Sequence, residues 1–157
     1  NNVIAAAVIS RFEATIEQMV ALAVLMPMVA AMGGNAGTQV VTVVVRGLAT
    51  KELSPSNVAR VAAKEIGVGV LNGAGFALLA GTLAAFWFEN AALGAVLGGA
   101  MVFNMVWAGL AGTLIPMALV RFRIDPAIAA GPFLTTTTDV LGFFCFLGLA
   151  TRFLLEG

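Results

Sequence analysis

Eight acidic residues occur in the chain, and seven of them, Glu13, Glu17, Glu52, Glu65, Glu89, Asp125 and Glu156, fall in linkers or near the ends of apolar runs. The eighth, Asp139, sits inside one. In PFLTTTTDVLGFFCFLGLATRFLL it follows Pro132 by seven residues, which places it about 10 Å into a helix. A carboxylate at the centre of a membrane helix costs about 2.5–3.5 kcal/mol on insertion scales. No Arg or Lys lies within a helical turn of it, and no other apolar run carries one at its centre. The counter-charge is therefore expected from outside the protein, as a proton or a metal cation. The alternative is a protonated carboxyl, hydrogen-bonded so as to lock two helices together.

The neighbours of Asp139 favour the ionic alternative. Thr135 and Thr136 stand four and three residues before it, on the same helical face. Their hydroxyls can hold water around a cation, or they can bond back to the carbonyls of their own helix. In a second apolar run, MPMVAAMGGNAGTQVV, Asn35 and Gln39 are one turn apart. Neutral oxygens beside a carboxylate suit a hard cation, because they hold its hydration shell without trapping it by excess charge. Asn72 and Asn104, in other runs, are expected to act as interhelical hydrogen-bond glue.

The elements that must position these groups are membrane helices. The chain of 157 residues is 61% hydrophobic and 10% charged, where soluble domains carry about 25% charged residues. Four apolar stretches, 19–45, 66–88, 91–120 and 132–155, each reach the roughly 20 residues that a span needs. Residues 1–10 read as the tail of a further, truncated helix. The fold class expected is an all-α integral membrane bundle forming one transmembrane domain over 1–157. Strand-type alternation is absent, and no internal repeat is visible.

The linkers set orientation. Arg46, Lys51, Arg60 and Lys64 share one linker and Arg121 and Arg123 another, which leaves only Arg11 and Arg152 for the opposite side. The positive-inside rule puts the two basic linkers in the cytoplasm, with EATIEQ, the FENA turn and the C-terminus outside. Ser54 is expected to cap the second full span, with Pro55 in its first turn. Trp87 suits an interfacial anchor. Gly33/Gly37, Gly69/Gly73 and Gly94/Gly98 are small-xxx-small pairs for close helix packing. Gly-Gly-Asn at 33–35 could instead break its helix and turn carbonyls toward a cavity.

Composition also excludes classes. Zero net charge gives no basic patch for nucleic acid. No His and a single Cys, Cys145, leave neither an internal disulfide nor a His/Cys zinc site. No nucleophile–base pair or phosphate loop points to an enzyme.

PMVAAMGGNAGTQ, the following VVRGLA, and LVRFRIDPAIAAGPFLTTTTDVLGFF together resemble the transmembrane domain of the MgtE family of magnesium channels. The resemblance runs over essentially the whole chain. It implies a homodimer with five transmembrane helices per subunit, the first truncated here, and an ion pore on the two-fold axis. It implies a bacterial inner-membrane location. It also implies N-terminal helical and CBS domains in the cytosol, absent from this chain, that close the pore when magnesium is high. Residue by residue, Asp139 matches the pore carboxylate that binds a largely hydrated Mg²⁺. Asp125 matches a metal-binding acid at the cytosolic mouth. Asn35 matches a pore-lining polar residue, and Ile128 an apolar constriction. Gly131 stands where some members have Asn.

The leading expectation is a selective Mg²⁺ channel, with Asp139 and Asp125 as metal residues and Asn35, Gln39, Thr135, Thr136 and Ile128 lining the pore. Mn²⁺ and Co²⁺ are further cargoes that residue spacing does not separate from Mg²⁺. The alternative is a secondary carrier that couples divalent-cation movement to protons or another ion through Asp139. A non-transporting membrane scaffold would instead tolerate Asp139→Asn and bind no metal.

Overall fold

Apolar runs of this length satisfy their backbone groups within lipid only as helices or closed barrels. The computed structural model, which describes residues 2–156, is built of helices, and no strand occurs among the described residues. Two short helices, α1 (Asn2–Ser10) and α2 (Glu13–Gln18), precede four long ones. These are α3 (Ala21–Ala49), α4 (Val58–Trp87), α5 (Ala91–Arg121) and α6 (Pro126–Ala150). A π-helical turn, Thr151–Leu155, continues α6. Among the described residues four helices are long and apolar enough to cross a membrane. The expected partial first span corresponds to α1, which has nine residues and a length of about 13 Å. Asn1 lies outside the described residues.

Two long helices begin earlier than their apolar runs do. Helix α4 starts at Val58 rather than 66, and its N-cap is Asn57, not Ser54. The reason is local. Asn57 Oδ1 accepts from the Ser54 N–H at 2.9 Å, and its Nδ2 donates to the Glu52 carbonyl at 2.8 Å. This ties the residues ahead of Val58 into a turn, and the helix begins after it. Helix α6 starts at Pro126 rather than 132, because Asp125 caps it and proline is tolerated in a first turn.

Helix α5 is the hub. It packs against α3, α4 and α6, whereas α3 and α4 scarcely touch each other. The α4–α5 hairpin meets along a glycine-rich stripe that steps four residues at a time on α4 and three or four on α5, in opposite directions. Gly81 meets Gly94, Ala77 meets Gly98, Gly73 meets Val102, Gly69 meets Met105, and Glu65 meets Gly109. At Gly69, Gly73, Gly81, Gly94 and Gly109 the nearest facing atom is backbone. A Cβ at Gly69 would stand 2.7 Å from the Met105 carbonyl oxygen, and one at Gly109 the same distance from that of Glu65. Gly37 is filled by Leu134 of α6, and Gly112 of α5 by Val40. The reading of the glycine pairs as packing surfaces therefore holds. The alternative of a helix break at 33–35 does not, since α3 runs unbroken through it and no described glycine has positive φ.

A core of buried side chains closes the other half of the bundle. Leu22, Val29, Leu93, Leu97, Met101 and Phe146 anchor it. Helix α1 lies along α6, and Thr15 and Thr151 share a hydroxyl–hydroxyl bond of 2.8 Å that ties α2 to the π turn. Trp87, 82% exposed at the end of α4, stands free to anchor at an interface.

Helices α3, α4 and α5 all end on a left-handed residue that is not glycine: Lys51 (φ 60°), Glu89 (φ 51°) and Arg123 (φ 60°). After α4, the Asn90 N–H reaches the Ala85 carbonyl at 3.0 Å and the Glu89 N–H that of Phe86 at 3.4 Å, the paired bonds of a Schellman ending. After α5, Ile124 and Arg123 repeat the pattern on Leu119 and Val120.

Two stability outcomes follow. Gly69→Val forces α4 from α5 and is expected to cost about 1–3 kcal/mol, seen as a lower midpoint in detergent unfolding. Glu89→Gly relieves the left-handed strain and is expected to raise the same midpoint, by up to about 1 kcal/mol.

Candidate ion site

Four polar residues lie within about 3 Å, along the axis, of the midpoints of the four long helices: Asn35 in α3, Asn72 in α4, Asn104 in α5 and Asp139 in α6. Because α6 starts at Pro126, Asp139 is thirteen residues into its helix, about 20 Å and not 10 Å. It sits at mid-span. The side chain is half-buried, and it accepts no hydrogen bond and joins no ion pair among the described residues. The single ion pair among them, Arg152–Glu156 at 3.7 Å, lies at the end of the chain. A carboxyl that locks two helices by hydrogen bonds is therefore not what the geometry displays.

Asn104 does the locking instead. It is fully buried, and its Nδ2 donates to the Val29 carbonyl of α3 at 2.8 Å. Gly33 of α3 and Gly142 of α6 make room for it: a Cβ at Gly142 would lie 2.6 Å from Nδ2, and one at Gly33 would overlap the side chain outright. One amide thus fills the junction of α3, α5 and α6, one turn from Asp139. The expected role of Asn104 as glue stands. Its Oδ1 is buried with no partner among the described residues, so the junction retains one unused acceptor.

Asn35 points the other way. It is exposed, as are Thr38, Gln39 and Thr42, so α3 shows a polar strip on the side opposite its buried glycines. Thr38 and Thr42 were not singled out from the sequence, although they follow Asn35 at helical spacings of three and seven. Their hydroxyls donate to the carbonyls of Gly34 and Thr38, each at 2.8 Å. Threonines of α6 behave alike. Thr135 donates to Gly131 and Pro132, and Thr136 donates to Pro132 at 2.7 Å. A hydroxyl whose proton is committed to its own helix offers only acceptor character elsewhere, and acceptors are what a hydrated cation meets.

The remaining residues are dispersed. Gln39 lines a cavity whose other walls belong to α4 and α5, and Asp139 is not among its lining residues. Asp125 is exposed and uses Oδ1 to accept the Ala127 N–H at 2.9 Å, which gives it a helix-capping role that the sequence reading did not include. Ile128 is 79% exposed, and Gly131 faces open space. Among the described residues no three His, Cys, Asp or Glu side chains group closely enough to cage a metal ion.

The junction can be tested by a double-mutant cycle. Gly33→Ala alone is expected to destabilise by about 1–3 kcal/mol through overlap with Asn104. Combined with Asn104→Ala it should cost less than the sum, with a coupling of about 0.5–3 kcal/mol in detergent unfolding.

Comparison with known proteins gives a consistent picture. The model of the MgtE family, described as a divalent cation transporter, matches residues 26–149. The chain is similar to proteins named magnesium transporter MgtE from three bacteria. It is 38% identical to that of Bacillus subtilis (strain 168) over 96% of this chain and 34% of the relative. With that of Enterococcus faecalis the figures are 37%, 95% and 33%, and with that of Thermus thermophilus 36%, 98% and 34%. The chain thus spans about a third of the length of these relatives. With the match extending from α3 to the last turn of α6, the chain belongs to the MgtE family of divalent cation transporters.

Proposed function

We propose that the chain is the pore-forming part of a Mg²⁺ channel of the cell membrane, and that it works as a homodimer with Asp139 of each subunit facing the other across the two-fold axis. The observation that carries this reading is Asp139 itself: a half-buried carboxylate at mid-span that forms no ion pair with an Arg or Lys among the described residues. A two-fold interface presents the same patch from both subunits. Two bare carboxylates brought together repel, and one would take up a proton. A divalent cation between them removes the conflict. Mg²⁺ sheds water reluctantly, so the pair holds it through its hydration shell, tightly enough to select and loosely enough to release.

The strip of Asn35, Thr38 and Thr42 on α3 lines the approach, where its acceptors replace part of the bulk-water contacts. Asp125, at the start of α6, marks the mouth on the side of the basic linkers. That side is cytosolic and the C-terminus is outside, following the distribution of Arg and Lys. The named relatives, about three times longer, leave room for cytosolic domains that would gate this pore.

Flux decides the matter. In proteoliposomes carrying the protein, Asp139→Ala is expected to reduce Mg²⁺ entry to the level of empty vesicles, while Asp139→Glu keeps part of it. Undiminished flux in the Asp139→Ala protein would defeat the assignment. Slow, saturable turnover with obligatory proton movement would replace the channel by a carrier.

A further inference from the structure

Helices α3 and α4 both lie on α5 but leave a groove between them, and three polar side chains interrupt its otherwise apolar lining. A cavity of about 170 Å³ lies there, where a single water needs about 10–15 Å³. Gly69, Met105 and Gly109 floor it, and Gln39 of α3 faces Glu65 and Asn72 of α4 across it. Glu65 and Asn72 are seven residues apart, two turns along one face of α4. None of these three side chains makes a hydrogen bond or ion pair with another described residue. Lys64 and Arg60, the basic residues beside Glu65 on its own helix, are exposed and form no bridge to it. Arg46 and Glu52 line the adjoining cavity toward the linker.

We propose that this groove is a second cation site, in which the Glu65 carboxylate binds a hydrated divalent cation and the Gln39 and Asn72 amides hold its water shell. The donor chemistry is oxygen only, which suits Mg²⁺, Ca²⁺ or Mn²⁺ rather than softer metals. One carboxylate cannot strip Mg²⁺ of its water, and the cavity has space for a water shell. A site with a single negative charge stays exchangeable.

The backbone is built to hold the ligand still. Glu65 belongs to the stripe that meets α5, and its carbonyl rests against Gly109, where a Cβ would come within 2.7 Å. The carboxylate therefore projects from a pinned segment. An ion in the groove would also bridge α3 to α4, which have little other direct contact. It would act as a clasp on the helix that carries Asn35. The site is separate from Asp139 and does not depend on the pore reading.

The test uses Mn²⁺ as the probe and the Asp139→Asn protein as background, so that pore binding and groove binding are read apart. Crystals soaked in Mn²⁺ should show anomalous density in the groove beside Glu65. Glu65→Gln should remove that density and lower the Mn²⁺ stoichiometry by one per chain in a spectroscopic titration. Should Glu65→Gln fail to fold, Asn72→Leu serves instead, with an expected weakening of about tenfold through the lost outer contact. A groove without anomalous density, or an unchanged stoichiometry in Glu65→Gln, overturns the proposal whatever the flux through Asp139 proves to be.

Discussion

The close approach of backbones along α5 is the constraint on which the rest of the molecule depends. Between helices in lipid there is little hydrophobic drive, so association rests on van der Waals contact and on the few hydrogen bonds available. The chain meets this by removing Cβ atoms where helices cross: Gly69, Gly73 and Gly81 on α4, Gly94, Gly98, Gly109 and Gly112 on α5, and Gly33 and Gly37 on α3. With three neighbours drawn onto one hub, their rotations about their own axes are no longer free. Which face of α3 is polar and exposed follows from which face is glycine and buried. The groove between α3 and α4 follows as well, since both lean on α5 rather than on each other.

That arrangement sorts the polar groups by task. Asn104 turns inward and spends its amide hydrogen on α3. At the same depth, Asn35 and Asp139 make no side-chain hydrogen bond or ion pair with another described residue. The hydroxyls of Thr38, Thr42 and Thr136, polar in name, return their protons to carbonyls of their own helices. Under the channel reading proposed above, acceptors of this kind on the wall would suit a hydrated cation without a cage of charges.

Much of this could be read from the sequence, and the failures have physical causes. The four spans stand out because each apolar run is long enough to leave no other solution in lipid. Their beginnings do not. Arg60, Lys64 and Glu65 interrupt the hydropathy of α4, yet Glu65 keeps the four-residue spacing of the glycine stripe and is helical for that reason. The start of α4 turns on a side chain, since Asn57 bonds the residues before it and displaces Ser54 as cap. At 33–35 packing and breaking are indistinguishable without knowing that Asn104 on another helix occupies the space. Asp139 stands out by chemistry alone. Gln39 stands out by its spacing from Asn35, but one helix cannot say which neighbour its face will meet, and here it lines the α3–α4 groove.

The four central polar residues have a consequence for life in membranes of different thickness. Helices of about 30 residues extend about 45 Å, against a hydrocarbon layer of about 30 Å, so the bundle must lean or protrude to suit its lipid. Leaning pivots a helix about its centre. Groups at the centre stay where they are while the ends travel, so Asn35, Asn72, Asn104 and Asp139 keep their common depth in thin and thick bilayers alike.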